Sequence, residues 1–156
     1  LGYRNSERSR KFYWEQVAQI KRLLERYIQE QDSSIDIEKY LNICEQLNQE
    51  PDPNKMPLNP SDFPMEVQVA FFIFGFLDDN WDTMSGTYLG KNWGTIEYLF
   101  NLYEVQEPRI ILYLLKLYEG LVVDYKAKKA EQKRKAEERK QKASSGGKQY
   151  THNIKG

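Results

Sequence analysis

Nucleophilic or redox chemistry in this chain would have to draw on Cys44 and His152, its single cysteine and single histidine. Cys44 falls at an inward position of a helical pattern, where a cysteine acts as a small hydrophobe. His152 lies far away in a polar C-terminal segment. One cysteine forms no intramolecular disulfide and no Cys-rich metal site, and it suits a reducing compartment. Two segments imitate binding loops and fail on spacing. Asp78-Asp79-Asn80-Trp81-Asp82-Thr83 alternates oxygen side chains as a calcium loop does. Thr83, however, stands where that loop needs its tight-turn glycine, and Leu89 where it needs a bidentate Glu. Gly86 to Asn92 resembles a phosphate loop, but only three residues separate Gly86 from Gly90, and Asn92 follows Lys91 where a hydroxyl belongs. The expectation is a protein that is not an enzyme and has no metal and no cofactor.

Rings and charges carry more information. Trp81, Tyr88 and Trp93 are interleaved with Gly86, Gly90 and Gly94. Such rings either fold back over a core or anchor a partner, since Trp and Tyr dominate interface hot spots. Trp81, Tyr88, Trp93 and Lys91 therefore form the candidate partner-binding set. The 23 basic residues cancel the 23 acidic ones overall. Regionally the balance is +3 for residues 1–30, −10 for 31–123 and +7 for 124–156. Nine Lys or Arg crowd residues 126–142. Neutralised phosphates release counterions, so Lys128, Lys129, Lys133, Arg134, Lys135, Arg139 and Lys140 form a candidate nucleic-acid-binding set. The competing reading is a solvated, charge-laced helix, favoured by the four acidic residues interspersed through 124–142. No aromatic interleaves this charge before Tyr150, so base stacking is not suggested.

Helices must position these groups. Tyr13, Val17, Ile20, Leu24 and Tyr27 recur on one helical face, and no Gly or Pro interrupts residues 7–30. Ser33 and Ser34 offer caps for a second helix with Ile37, Tyr40, Leu41, Cys44 and Leu47 inward, and the two helices can pack as an antiparallel pair. Five prolines between residues 50 and 64 exclude helix and predict an ordered crossing or a stiff linker. A third helix follows Pro64, with Val67, Ala70, Phe71, Phe74 and Leu77 inward and Phe72, Ile73 and Phe76 on its other sides. A helix apolar nearly all round is central to a core or lies in an interface. Residues 78–95 read as a long loop with no strand alternation. A fourth helix is expected near 95–103, with Ile96, Leu99, Phe100 and Tyr103 inward. Pro108 then opens a last helix with Ile111, Leu114, Tyr118, Leu121, Val122 and Tyr125 inward, continuing through the basic run because nearly every residue there is a good helix former.

The longest apolar run, Val69 to Leu77, is far short of the twenty or so residues of a membrane span, and the basic first residues do not resemble a secretion signal. The expectation is a cytoplasmic protein. The chain opens on Leu1 rather than Met, so a preceding segment is compatible with it. Asp62-Phe63-Pro64-Met65-Glu66-Val67-Gln68, followed by Asp79 to Trp93, resembles small accessory proteins of tailed bacteriophages. The resemblance covers about residues 40–120. It implies a helical assembly or morphogenesis factor, such as a tail-assembly chaperone or a packaging accessory, acting on phage structural proteins in the host cytoplasm.

The sequence thus predicts an all-α fold: an N-terminal helix pair (1–49), a Pro-rich crossing (50–63), a helical unit (64–125) bearing an aromatic and glycine loop (78–94), and a basic helical tail with a flexible end (126–156). The expected function is protein interaction or assembly through the aromatic loop. The alternative is nucleic-acid binding through the tail.

Overall fold

A computed structural model of the chain describes residues 3–146, with side chains from residue 15 onward. Tyr13, Tyr150 and His152 therefore lie outside the described side chains. The element order is α1 (Tyr3–Asp32), α2 (Ile37–Gln46), a 3-10 turn (Pro60–Asp62), α3 (Met65–Phe74), β1 (Asp79–Trp81), β2 (Tyr88–Lys91), α4 (Ile96–Leu102) and α5 (Pro108–Ser145). The fold is mostly helical but not all-α. Where a long loop was expected, β1 and β2 pair antiparallel, Asp79 with Lys91, Asn80 with Gly90 and Trp81 with Tyr88, leaving Leu89 as a bulge. Strands this short, built from Asp, Asn and Gly, run against β-propensity, so only their tertiary attachments can hold them.

The core forms where α3 lies against α1 and α5. Val67, Ala70, Ile73 and Leu77 meet Ile20 and Leu24 of α1 and Ile111, Leu114 and Leu115 of α5, with Leu99 of α4 and Phe63 closing the cluster. Ile73 and Leu115 are fully buried. Ile73 was expected off the inner face, yet α3 is apolar on so many sides that the pattern could not orient it. Tyr27 is half-buried and Ile28 takes the buried place beside it. A chain of rings extends the core: Tyr27 stacks on Phe71 at 5.1 Å, Phe63 stands edge-on to both, and Tyr118 meets Phe71 at 5.1 Å and Phe74 at 4.7 Å. Such offset and T-shaped pairs suit the ring quadrupole.

The Pro-rich segment is an ordered crossing. Glu30 of α1 accepts a hydrogen bond from the Leu58 amide at 2.7 Å, and Arg26 donates to the Met56 carbonyl while pairing with Glu30. The Tyr40 hydroxyl brackets Asp52, accepting from its amide and donating to its carbonyl. At the start of α2 the cap is Asp36 rather than Ser33 or Ser34, its carboxylate accepting from the Lys39 amide at 2.8 Å. α2 buries Cys44 alone, and Leu41 and Leu47, expected inward, are exposed. The apolar stripe was read correctly as helical, but little stands across from it.

Replacing Leu115 by Ala should lower stability by about 2–5 kcal/mol through lost transfer energy and a cavity. Leu89→Ala, at an exposed bulge, should change it by no more than about 0.5 kcal/mol. Urea unfolding followed by circular dichroism checks both.

Candidate functional site

The hairpin is built onto α5 through one carboxylate. Oε2 of Glu119 accepts from the Lys91 amide at 2.8 Å and from the Trp93 indole Nε1–H at 2.8 Å. Gly90, at φ +100°, leaves room for it, since an added Cβ would lie 2.8 Å from the same oxygen. Lys116 lies 3.8 Å over the Trp93 ring and 3.6 Å from Glu119 Oε1. Lys91 runs beneath the hairpin with its side chain only 9% exposed. Its ammonium pairs with Asp79 at 2.9 Å, donates to the Leu77 carbonyl at 3.0 Å and sits 4.5 Å from the centre of the Phe74 ring. The buried Tyr88 donates its hydroxyl to the same Asp79 oxygen at 2.8 Å. Burial pushes the Asp79 carboxyl up, but the hydrogen bonds from Lys91 and Tyr88 outweigh it and hold the group below the ordinary carboxylate range. Burial, and then the Asp79 carboxylate, hold the Tyr88 phenol well above an ordinary tyrosine. Burial also pushes Tyr118 up to about 12.

Two carboxylates of the stretch that imitated a calcium loop, Asp79 and Asp82, are engaged within the hairpin. Asp79 serves Lys91 and Tyr88, and Asp82 closes the hairpin turn by accepting from the Met84 amide and the Ser85 hydroxyl. Among the described residues no group of three or more His, Cys, Asp or Glu side chains is placed to hold a metal. Of the candidate partner-binding set, Tyr88, Lys91 and Trp93 have their polar atoms held by the fold itself. Trp81 is the one left half in solvent, at 50% exposure. Its ring packs 4.9 Å from Tyr88, with the Lys126 ammonium over both, at the mouth of a groove of about 640 Å³ between the hairpin, the end of α1 and α5. Asp32 closes the other end of that groove, taking hydrogen bonds from Tyr125 at 2.6 Å and Lys129 at 2.5 Å.

A cluster of exposed rings lies elsewhere, on the outer face of α3 and the turn after it. Phe72, Phe76 and Tyr103 form a triangle of rings 5.0 to 5.3 Å apart. They are 51%, 48% and 42% exposed. Tyr103 was expected inward but follows the end of α4, where the chain reverses and turns its ring toward Phe72 and Phe76. Beside the triangle opens a groove of about 410 Å³ lined by Met65, Val69, Phe72, Tyr103, Val105 and Ile111, with Glu66, Glu104 and Glu107 at its edge. Phe72 and Phe76 are legible in the sequence as an i,i+4 pair on the wrong side of an apolar helix. Glu119, one acid on the inward side of α5, leaves no comparable signal.

In the tail, Arg134 pairs with Glu131 at 2.8 Å and with Glu138, Lys135 reaches Glu131 at 3.3 Å, and Lys129 is bound to Asp32. Arg134 and then Lys135 lower the Glu131 carboxyl to about 2. Lys128, Lys133, Arg139 and Lys140 form no ion pair among the described residues. None of the helices is long and apolar enough to cross a membrane among the described residues. Comparison of the chain with protein-family models, curated proteins and solved structures finds no match.

Gly90→Ala should detach the hairpin from α5, because the new methyl group and the Glu119 carboxylate cannot share one position and the backbone there is left-handed. The expected loss is about 1–3 kcal/mol, accompanied by a red shift of Trp93 fluorescence. Because the Asp79 carboxyl is depressed in the fold, its contribution is present above the ordinary carboxylate value and disappears as pH falls through the lower folded one. The urea midpoint should therefore decline on acidification below about pH 4, and Asp79→Asn should decline less over the same interval. Tyr118 works in the opposite sense, its contribution being full below the ordinary tyrosine value and lost as pH rises through about 12.

Proposed function

We propose that this protein is a non-enzymatic interaction or assembly factor that binds a partner polypeptide on the outer face of α3. The observation that carries the reading is the Phe72, Phe76 and Tyr103 triangle, three large rings held against one another yet each about half in water. Contiguous aromatic exposure of this kind, beside a concave apolar groove, marks a surface that is covered in use. Glu66, Glu104 and Glu107 at the edge have no ion pairs among the described residues. Glu104 and Glu107 also occupy left-handed backbone positions, at φ 47° and 55°, where glycine would be less strained. An acidic edge around an apolar centre favours a segment with an apolar anchor and Lys or Arg on either side. It disfavours a symmetric pairing of this face with itself, which would bring like charges together. The resemblance of Asp62–Gln68 and Asp79–Trp93 to phage accessory proteins points the same way. A morphogenesis factor such as a tail-assembly chaperone is the particular form of this reading.

Synthetic peptides with a Phe or Leu anchor between Lys flanks, and matched peptides with Glu flanks, provide the test by isothermal titration calorimetry. The Lys-flanked peptides should bind and the Glu-flanked ones should not. Phe72→Ser with Phe76→Ser should weaken binding by about tenfold or more, the cost of losing a hot spot, while leaving the melting temperature nearly unchanged because both rings are exposed. Equal affinity for the double variant, or indifference to the sign of the flanks, would sink the proposal.

A further inference from the structure

The run of charge from residue 126 to 145 reads as mixed along the chain, but on the helix it separates. At about 100° per residue, Glu131, Glu137 and Glu138 all fall within a sector of about 120°. Arg134 lies in the same sector and pairs with two of them, so this side is largely neutralised by its own neighbours. Lys128, Lys135, Arg139 and Lys142 fall within about 60° of one another in the adjoining sector, whose edge lies about 20° from Glu131. Lys133 and Lys140 lie on a further stripe that also carries Lys126 and Lys129, the two tied to the body through Trp81 and Asp32. Every residue from Lys126 to Gly146 is exposed, and α5 is unbroken as far as Ser145. The helix therefore holds out a rigid cationic face.

We infer that this face of α5 is a binding site for the phosphodiester backbone of nucleic acid, used without sequence preference. The Lys128, Lys135, Arg139 and Lys142 row spans about 21 Å at 1.5 Å per residue. A duplex strand presents a phosphate about every 3.4 Å of helix axis, about six in that length. Of the four cations only Lys135 has an ion-pair partner, at 3.3 Å, among the described residues, so binding an anion there breaks little. A bilayer surface fits less well. The uncharged residues among these stripes are Gln132, Ala136, Ala143 and Ser144, none of which inserts into lipid. The acidic body of a second copy is the competing polyanion, since Glu66, Glu104 and Glu107 form no ion pair among the described residues; self-association through the tail in place of duplex binding would overturn the assignment. The site is separate from the aromatic face of α3, so either can fail without the other.

The test is fluorescence anisotropy of a labelled DNA duplex of generic sequence with the full chain, across a series of salt concentrations. One variant carries Lys128→Gln, Lys135→Gln, Arg139→Gln and Lys142→Gln. A control removes four cations from the body: Lys21→Gln, Arg22→Gln, Lys39→Gln and Lys55→Gln. The wild type should bind, with log affinity falling linearly against log salt at about −0.9 per phosphate contacted. The tail variant should lose about three to four units of that slope and at least tenfold in affinity at low salt. The control and wild type should behave alike, and a scrambled duplex should bind as well as the first. Circular dichroism keeps the comparison sound, since Gln preserves the helix. Absence of binding at low salt, an equal loss in the control, or capture of phosphatidylserine vesicles in preference to duplex would each overturn the assignment.

Discussion

The structure depends on the need to cover α3. Met65 to Phe74 is apolar on almost every side, and a helix of that kind cannot stand in water alone. α1, α5 and the Phe63 turn cover one half of it, burying Val67, Ala70 and Ile73, with Leu77 beyond its end, against Leu24, Ile111 and Leu115. Fully burying an aliphatic or Phe side chain contributes about 1.5–3 kcal/mol, so this contact dominates the stability of so small a body. The elements available do not suffice for the other half. Phe72 and Phe76 remain outside with Tyr103, and the same constraint that builds the core leaves the surface proposed to take a partner.

The hairpin is a second consequence. Its strands are too short and too polar to pair on their own. They are held by Glu119, which joins the Lys91 backbone and the Trp93 ring to α5, and by Lys91, which pairs across the hairpin with Asp79 and ties it to the Leu77 carbonyl after α3 and to the Phe74 ring. Three of the four groups that looked available for recognition are therefore internal fasteners. A buried cation with a carboxylate, a carbonyl and a ring around it is well satisfied, and removing the Asp79 carboxylate would leave its charge without a counter-ion in a low-dielectric setting. Trp81 escapes this arrangement because it lies at the end of β1 nearest the turn, where Tyr88 and Lys126 flank it and its ring stays half exposed.

α5 joins two chemistries in one rod. Its first half presents Ile111, Leu114 and Leu115 to the core, and its second half carries charge that touches the body only near its start, where Lys126 meets Trp81 and Lys129 meets Asp32. The intrahelical pairs of Arg134 with Glu131 and Glu138, and of Lys135 with Glu131, support helix where packing no longer can. Spacing at the helical period gathers the three carboxylates with Arg134 in one sector and leaves a row of cations in the sector beside it. Nucleic-acid binding by that face and protein binding by α3 would make this an adaptor between a polyanion and a polypeptide.

Periodicity in the sequence was enough to determine the helices: Val17, Ile20 and Leu24 on α1, Val67 and Ala70 on α3, Ile111 and Leu114 on α5 are where a 3.6-residue repeat puts them, because burial rewards one face of a helix at that period. The prolines likewise determined a crossing between residues 50 and 64, since a missing donor and a fixed φ are local properties. Tertiary structure alone decided the hairpin, the engagement of Tyr88, Lys91 and Trp93, and which side of α3 stays exposed. Those outcomes rest on Glu119, Asp79 and Tyr118 meeting partners about nine to 47 residues away in sequence. A local pattern has no way to record a hydrogen bond or a ring contact whose two halves become neighbours only when distant elements pack.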